Sequence, residues 1–292
     1  MANDTKKIKL PREVVTELLN KAKDTSTIAK LSPSKPQKFV DIDHMIFNPT
    51  SEAEVVEEGA KKGSYELDFT PIEGKRVKVV TTTRVSDELR WADEDNKLEI
   101  VDNILADQNA AIGRSLDYVV YHAVNPKGGS KLGSYTALTA NATSVISADS
   151  PVEDIDKLVD ALMDYDINGF ALSKKYASAL RKLRVPATGQ RLYPEVPLNL
   201  NAGSIDGIDA AVSGTVDGRL ATEQTKVLGI MGDFTLIKWG MVHDIWSEII
   251  EYGDPDQTGV DLKAHNQIAF RTEAVYAYAV LDPKGFAVLK SA

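Results

Sequence analysis

The sequence predicts an α+β fold in which two outlying extended segments lead into a long helix, an α/β middle and a closing set of strands. Three observations predict it. Residues 65–70 alternate apolar and polar, and a β-branched run follows at 75–83; an apolar stripe at helical spacing runs from Leu98 to Val120; after residue 150, helical and strand patterns alternate before giving way to short strands. At 292 residues the chain has room for one elaborate domain or two of roughly 150.

Hydrophobic residues make up 43% and charged residues 26%, which argues against wholesale disorder and against a fibrous chain. Lys and Arg number 34 against 43 Asp and Glu, so the net charge is −9 and the pI is near 5.1, values at odds with a surface that grips nucleic acid throughout. The charge is uneven. Residues 1–40 hold nine basic residues against four acids, a balance of +5, which leaves −14 for the remainder. Cysteine is absent, which excludes disulfides, thiolate metal sites and a cysteine nucleophile and leaves the compartment open. No stretch approaches the ~18 consecutive apolar residues of a membrane span, and the N-terminus lacks an apolar signal core, so a soluble protein with no membrane partner is expected.

In chain order, residues 11–23 open with Pro11 and place Val14, Val15, Leu18, Leu19 and Ala22 on one helical face. The following Ser-, Thr- and Pro-rich residues have no helical period and read as an extended arm lying on other structure. Tyr65, Leu67 and Phe69 alternate with Glu66, Asp68 and Thr70, and 71–74 supply a turn into 75–83, so this region reads as a long two-stranded hairpin. Glu52, Glu54, Glu57, Glu58, Lys61 and Lys62 crowd its leading end, so it should project and find support elsewhere.

The strongest helix spans about residues 97–124, with Leu98, Val101, Ile104, Leu105, Ile112, Leu116, Val119 and Val120 on its packed face and Asp102 and Gln108 off it. It would be a rod of roughly 40 Å. Residues 150–153 fit a capping box, and Ile155, Leu158, Val159, Leu162 and Met163 form the apolar face of the helix that follows. GFALS reads as a buried strand, and Ser173 caps the helix KKYASALRKLR. The last hundred residues are mostly short strands punctuated by glycines, with EAVYAYAVL the clearest.

No catalytic constellation emerges. Residues 128–134 come within one residue of a phosphate loop, but Ser134 stands where the lysine must be and the loop follows a helix, so a connector is the reading. Asp254, Asp256 and Gly259 fit a calcium loop only up to His265, which occupies the position of the bidentate Glu; a turn between strands is preferred. His44, His122, His243 and His265 lack a second ligand at metal-binding spacing, and pairs such as Asp93 and Asp95 read as a solvated face. The run Lys6, Lys7, Lys9 fits either a nucleic-acid contact or a disordered basic tail. No cofactor and no metal are expected.

The order of parts resembles the major capsid protein of tailed double-stranded DNA bacteriophages, the Hong-Kong-ninety-seven fold. The residues that carry the resemblance are AEVVEEGAKKGSYELDFTPI, similar to the family's extended loop; VVTTTRVSDEL, running into the long helix; and GDFTLIKWG with NQIAFRTEAVYAYAVLDPKGFAVL, similar to its closing strands. The resemblance implies an N-terminal arm at 1–47, an extended loop at 48–84, a peripheral domain with a spine helix at 85–135, an axial α/β domain at 136–240, and mostly peripheral returning strands at 241–292. It implies a non-enzymatic shell protein that assembles as pentamers and hexamers into an icosahedral head around double-stranded DNA, built in the host cytoplasm. The partners would be further copies of the chain, a portal protein, the packaged DNA held non-specifically, and a separate scaffolding protein, since Met1 lies only some ten residues before the arm helix. Glu57, Glu58, Lys61, Lys62 and Arg76 of the extended loop would contact neighbouring subunits. Some members crosslink a loop lysine to an asparagine with a glutamate assisting; Lys61 or Lys62 would be the donor, but neither partner can be matched, so noncovalent contacts are expected. The competing readings are an encapsulin-type compartment, disfavoured by the arm that runs on after its helix; a tail-tube protein, disfavoured by the long helix; and, from another class, an α/β hydrolase or transferase whose site forms only on folding.

Overall fold

A computed structural model of the chain describes residues 25–33, 35, 43–47, 55–56, 58, 61–64, 69–96 and 100–292. Two sheets share one long helix. The first is mixed and six-stranded, in the order β4 (Thr143–Ile146), β11 (Phe286–Lys290), β8 (Val227–Gly232), β5 (Gly169–Leu172), β7 (Ile208–Val212), β6 (Ser204–Ile205). The β11–β4 and β5–β7 pairs are parallel, and the others are antiparallel. The second sheet is antiparallel, in the order β3 (Lys75–Ser86), β10 (Gln267–Val280), β9 (Ile237–Ile250).

The strand period of two explains how the six-stranded sheet is buried on both faces. Phe170, Leu172, Met231, Ala287 and Leu289 point to one face, where α5 (Pro151–Asp160) and α6 (Lys174–Lys182) cover them with Leu158, Tyr176 and Leu180. Ala171, Ile230, Phe286 and Val288 point to the other, against Leu116, Val119, Val120 and Tyr121 of α3 (Ile100–His122). The first half of α3 lies along the second sheet, where Val101, Ile104 and Leu105 flank Val85, Ile268 and Phe270. At 23 residues α3 is about 35 Å long, enough to span both cores.

Several sequence expectations hold. GFALS is a fully buried strand, and the Ser173 side chain accepts from the Tyr176 N–H to cap α6. Ile112, Leu116, Val119 and Val120 are buried.

Others need correction. Gln108 is buried, not solvated, because it reaches across to β3 and β10. A separate helix, α2 (Asp87–Asn96), precedes α3. Ser150 makes no side-chain cap; Asp154 turns back to accept from Ser147 Oγ and the Ala148 N–H. Val159 and Met163 are exposed, since Leu158 and Leu162 already face the sheet.

The hairpin is paired differently from the expectation. Residues 71–73, expected as a turn, continue β2 (Phe69–Glu73), which pairs with β1 (Asp43–Phe47), while β3 pairs with β10. The β-branched run of β3 is therefore recruited into the second sheet, and its Val77 and Val85 join the cores. Within the arm, Ser26 caps a short helix, α1 (Thr27–Leu31), where an extended run was expected. The predicted helix at 11–23, the basic run at 6–9, and Tyr65, Leu67 and Leu98 lie outside the described residues.

Candidate assembly surfaces

The arm is tied to the body through one carboxylate. Asp117, fully buried on α3, accepts from Ser26 Oγ at 2.6 Å, the Thr27 N–H at 2.7 Å, Thr27 Oγ1 at 3.0 Å and the Ile28 N–H at 3.2 Å, and from Thr215 Oγ1 across the core. Burial raises its pKa, and the bonds from Ser26, Thr215, Thr27 and Ile28 oppose that rise. The carboxylate thus satisfies the first free N–H groups of α1 while ordering a segment ninety residues away. Beyond α1, Ser32 Oγ donates to the Ile237 carbonyl, Trp239 Nε1 to the Ser32 carbonyl, and the Lys35 N–H to the Trp239 carbonyl. The arm therefore lies along the start of β9. Asp117 escaped the sequence reading because an acid on a long helix reads as solvated; the available signal was its setting among Leu116, Val120 and Tyr121.

A second polar chain crosses the three-stranded sheet. Gln108 Nε2 donates to Thr83 Oγ1 of β3 and to the Phe270 carbonyl of β10, both at 2.9 Å; Thr272 Oγ1 donates to Gln108 Oε1 at 2.7 Å, and Ser247 of β9 lies 2.9 Å from Thr272 Oγ1. One side chain thereby sets the register of two strands against α3. The loop joining β9 to β10 is drawn over β3 by the buried Arg84, which pairs with Asp254 and Asp256 and donates to the Val260 carbonyl, and by Arg271, which donates to the Pro255 carbonyl. The aspartates that resembled calcium ligands thus face a guanidinium, whose pKa the hydrogen bond to Asp256 raises.

Among the described residues β9 pairs as a strand only with β10, and the arm's bonds to the Ile237 and Trp239 carbonyls leave it open beyond Trp239. Ile245, Trp246 and Ile249 on it are about half exposed, and Tyr252 just beyond is 67% exposed. Beyond Trp239 this edge runs on for about 36 Å, a liability for a protein that stays alone.

Of the residues expected to meet neighbouring subunits, Glu58, Lys61 and Lys62 are exposed, and Arg76 is exposed at the start of β3, where its carbonyl accepts from Tyr135 Oη. Glu57 lies outside the described residues. Val55 beside them is 98% exposed.

The remaining motif residues have structural roles. His122 is buried with Nε2 3.1 Å from the carbonyls of both Thr215 and Val216, which requires a proton on Nε2, and burial pushes its pKa down to about 4. In the glycine-rich connector the Gly129 N–H donates to the Asn125 carbonyl, and its φ of +69° packs it so closely on residues 220–222 that a Cβ would lie 2.5 Å from the Leu220 carbonyl oxygen. That amide is committed internally. Among the described residues no group of three or more His, Asp and Glu could hold a metal ion, and no helix is long and apolar enough to cross a membrane.

Residues 26–33 and 35 pinned onto α3 and β9, and an edge of β9 that carries exposed Ile245, Trp246 and Ile249, leave surface that no other described residue of the chain covers. The family described as the phage capsid family matches residues 8–291, and the chain belongs to that family. A solved structure from Mycobacterium phage Ogopogo is 32% identical over 100% of both chains, with a TM-score of 0.85. One from Gordonia phage Cozz is 26% identical over 97% of this chain and 92% of that one, with a TM-score of 0.81. The capsid of an empty GTA particle shares the fold at 15% identity and a TM-score of 0.65, over 97% of this chain and 95% of that one. No curated protein sequence matches the chain. The protein is a structural capsid protein of the virion, not an enzyme.

Proposed function

We propose that the chain assembles as pentamers and hexamers into an icosahedral head enclosing double-stranded DNA. The observation that carries this reading is the family match over residues 8–291, with a phage structure aligned along the full length of both chains. In this reading residues 1–47 act as an N-terminal arm, 48–84 as an extended loop, 85–135 and most of 241–292 as a peripheral domain, and 136–240 as an axial domain. The extended loop, with Glu57, Glu58, Lys61, Lys62 and Arg76, and the open edge of β9 are covered by neighbouring copies. Ordering such segments costs roughly 1–2 kcal/mol per residue, which burial against a symmetric neighbour offsets. A separate scaffolding protein and a portal protein complete the assembly in the host cytoplasm, and the DNA is held non-specifically. Subunits adhere noncovalently, so shells boiled in detergent fall to single chains of 31.8 kDa. Negative-stain images of particles purified after co-expression with the scaffold test the reading: closed shells with fivefold and sixfold capsomers support it, and open tubes or dispersed monomers contradict it.

A further inference from the structure

Beyond α6 the chain folds back on itself in a tip that is unusually basic. Between Ser173 and Tyr193 stand Lys174, Lys175, Arg181, Lys182, Arg184 and Arg191 and no acid, in a chain whose net charge is −9. Arg184 and Arg191 face each other in an antiparallel bridge. The flanking bonds are Leu192 N–H to the Leu183 carbonyl at 3.2 Å and Val185 N–H to the Gln190 carbonyl at 2.9 Å, so the two arginines are the pair that shares no backbone bond. In that geometry the Cα atoms lie about 4.5 Å apart and the side chains leave the same face. Like charges placed directly opposite repel.

A third arginine, Arg181, stands in the last turn of α6, three residues before Arg184. Arg184 Nη1 donates to the carbonyls of Arg181 at 2.8 Å and Leu183 at 3.0 Å, which folds its guanidinium over the end of α6. Among the described residues the Nε of Arg181 is buried with no hydrogen-bond partner, and no carboxylate pairs with any of the three. The dipole of α6 accounts for basic residues at its C-terminus. It gives no reason to set Arg191 against Arg184, or to bury an N–H unbonded.

We propose that Arg181, Arg184 and Arg191 form a phosphate-binding site. Guanidinium forks match phosphate oxygens two at a time, and a dianionic or polymeric phosphate between the arginines would turn their repulsion into attraction. Tyr193, the aromatic residue closing the tip, is buried, so no ring is offered for base stacking and the contact is to phosphate alone. The phosphate belongs either to a nucleic-acid backbone, which rests on the DNA-enclosing reading above, or to a free polyphosphate, which does not.

The test uses the full-length protein with a short labelled DNA duplex, inorganic tripolyphosphate and polyglutamate. Arg181→Gln/Arg191→Gln should weaken duplex binding about ten-fold and flatten its salt dependence by about two units of slope, whereas Lys284→Gln, in the turn before β11, should change little. Tripolyphosphate should raise the melting temperature of the native protein and leave that of Arg191→Gln unmoved, and without ligand Arg191→Gln should melt higher than the native chain because the like-charge pair is gone. Should the double variant not fold, Arg191→Lys, which keeps the charge and removes the fork, should bind with intermediate affinity. Equal affinities for the double variant and Lys284→Gln would overturn the site, as would competition by polyglutamate equal to that by tripolyphosphate. Tripolyphosphate binding without duplex binding would assign the site to a free polyphosphate. Duplex binding lost in the variant while particles still protect DNA from nuclease separates this site from enclosure; particles without DNA that retain tripolyphosphate binding would refute enclosure and leave the site standing.

Discussion

Asp117 and His122 sit five residues apart on the same helix, and burial acts against the charged form of each. Asp117 gathers donors from the arm and from Thr215, so Asp117→Ala would strand the N–H groups of Thr27 and Ile28. The expected cost is on the order of 3 kcal/mol in urea denaturation, with new protease cleavage near residues 25–33. Unchanged stability and an uncut arm would show that the carboxylate does not hold it.

His122 is kept neutral, its pKa pushed down to about 4 by burial. The unfolded chain takes up a proton near pH 6.5 that the folded chain refuses, so this residue's contribution is complete above that pH and is lost as the pH falls toward 4. The loss amounts to at most ~3 kcal/mol. His122→Gln keeps a donor for the Thr215 and Val216 carbonyls and should lose this part of the pH dependence. Urea midpoints of both proteins at several pH values between 7 and 4 check it; parallel curves would contradict the assignment.

Elements were legible in the sequence where a single period decided them. The apolar stripe located α3, and the strand–cap–helix run of residues 169–182 was readable because each signal is local. What the period of two cannot give is the partner: it places Val77 and Val79 on one face of β3 but does not say that β10, two hundred residues on, will pair with them. Residues 71–73 looked like a turn for the same reason, since Pro71 and Gly74 punctuate a chain that in fact passes from one sheet to another. Gln108 shows the other limit, because a polar residue within reach of a carbonyl and two hydroxyls can be buried, and polarity alone does not reveal those partners. Gln108→Ala should therefore cost about 2 kcal/mol and Ile112→Asp about 3 or more, against almost nothing for the exposed Asp102→Asn. Equal thermal stability of Gln108→Ala and Asp102→Asn would mean that the polar chain across the sheet is dispensable.

At the scale of the whole molecule, the chain divides into a body that closes its own cores and outlying parts that do not. Both faces of the six-stranded sheet are covered from within, and α3 couples that sheet to the three-stranded one. The exposed Val55, Glu58, Lys61 and Lys62 and the edge of β9 beyond Trp239 have no such cover among the described residues. The order of these parts was legible because charge, punctuation and helix length are properties of the linear chain. The topology of the six-stranded sheet was not, since β4 pairs with β11 across most of the C-terminal half. The candidate contact residues were legible only as charge, because what they touch belongs to another copy. The most direct test removes residues 57–62 and compares the variant with the intact chain, each with its scaffold, by sedimentation velocity and circular dichroism. The account predicts capsomers or closed shells for the intact chain, and for the deletion a small species with an unchanged dichroism spectrum and a cooperative melt. Closed shells from the deletion variant, or a spectrum showing that it has unfolded, would contradict it.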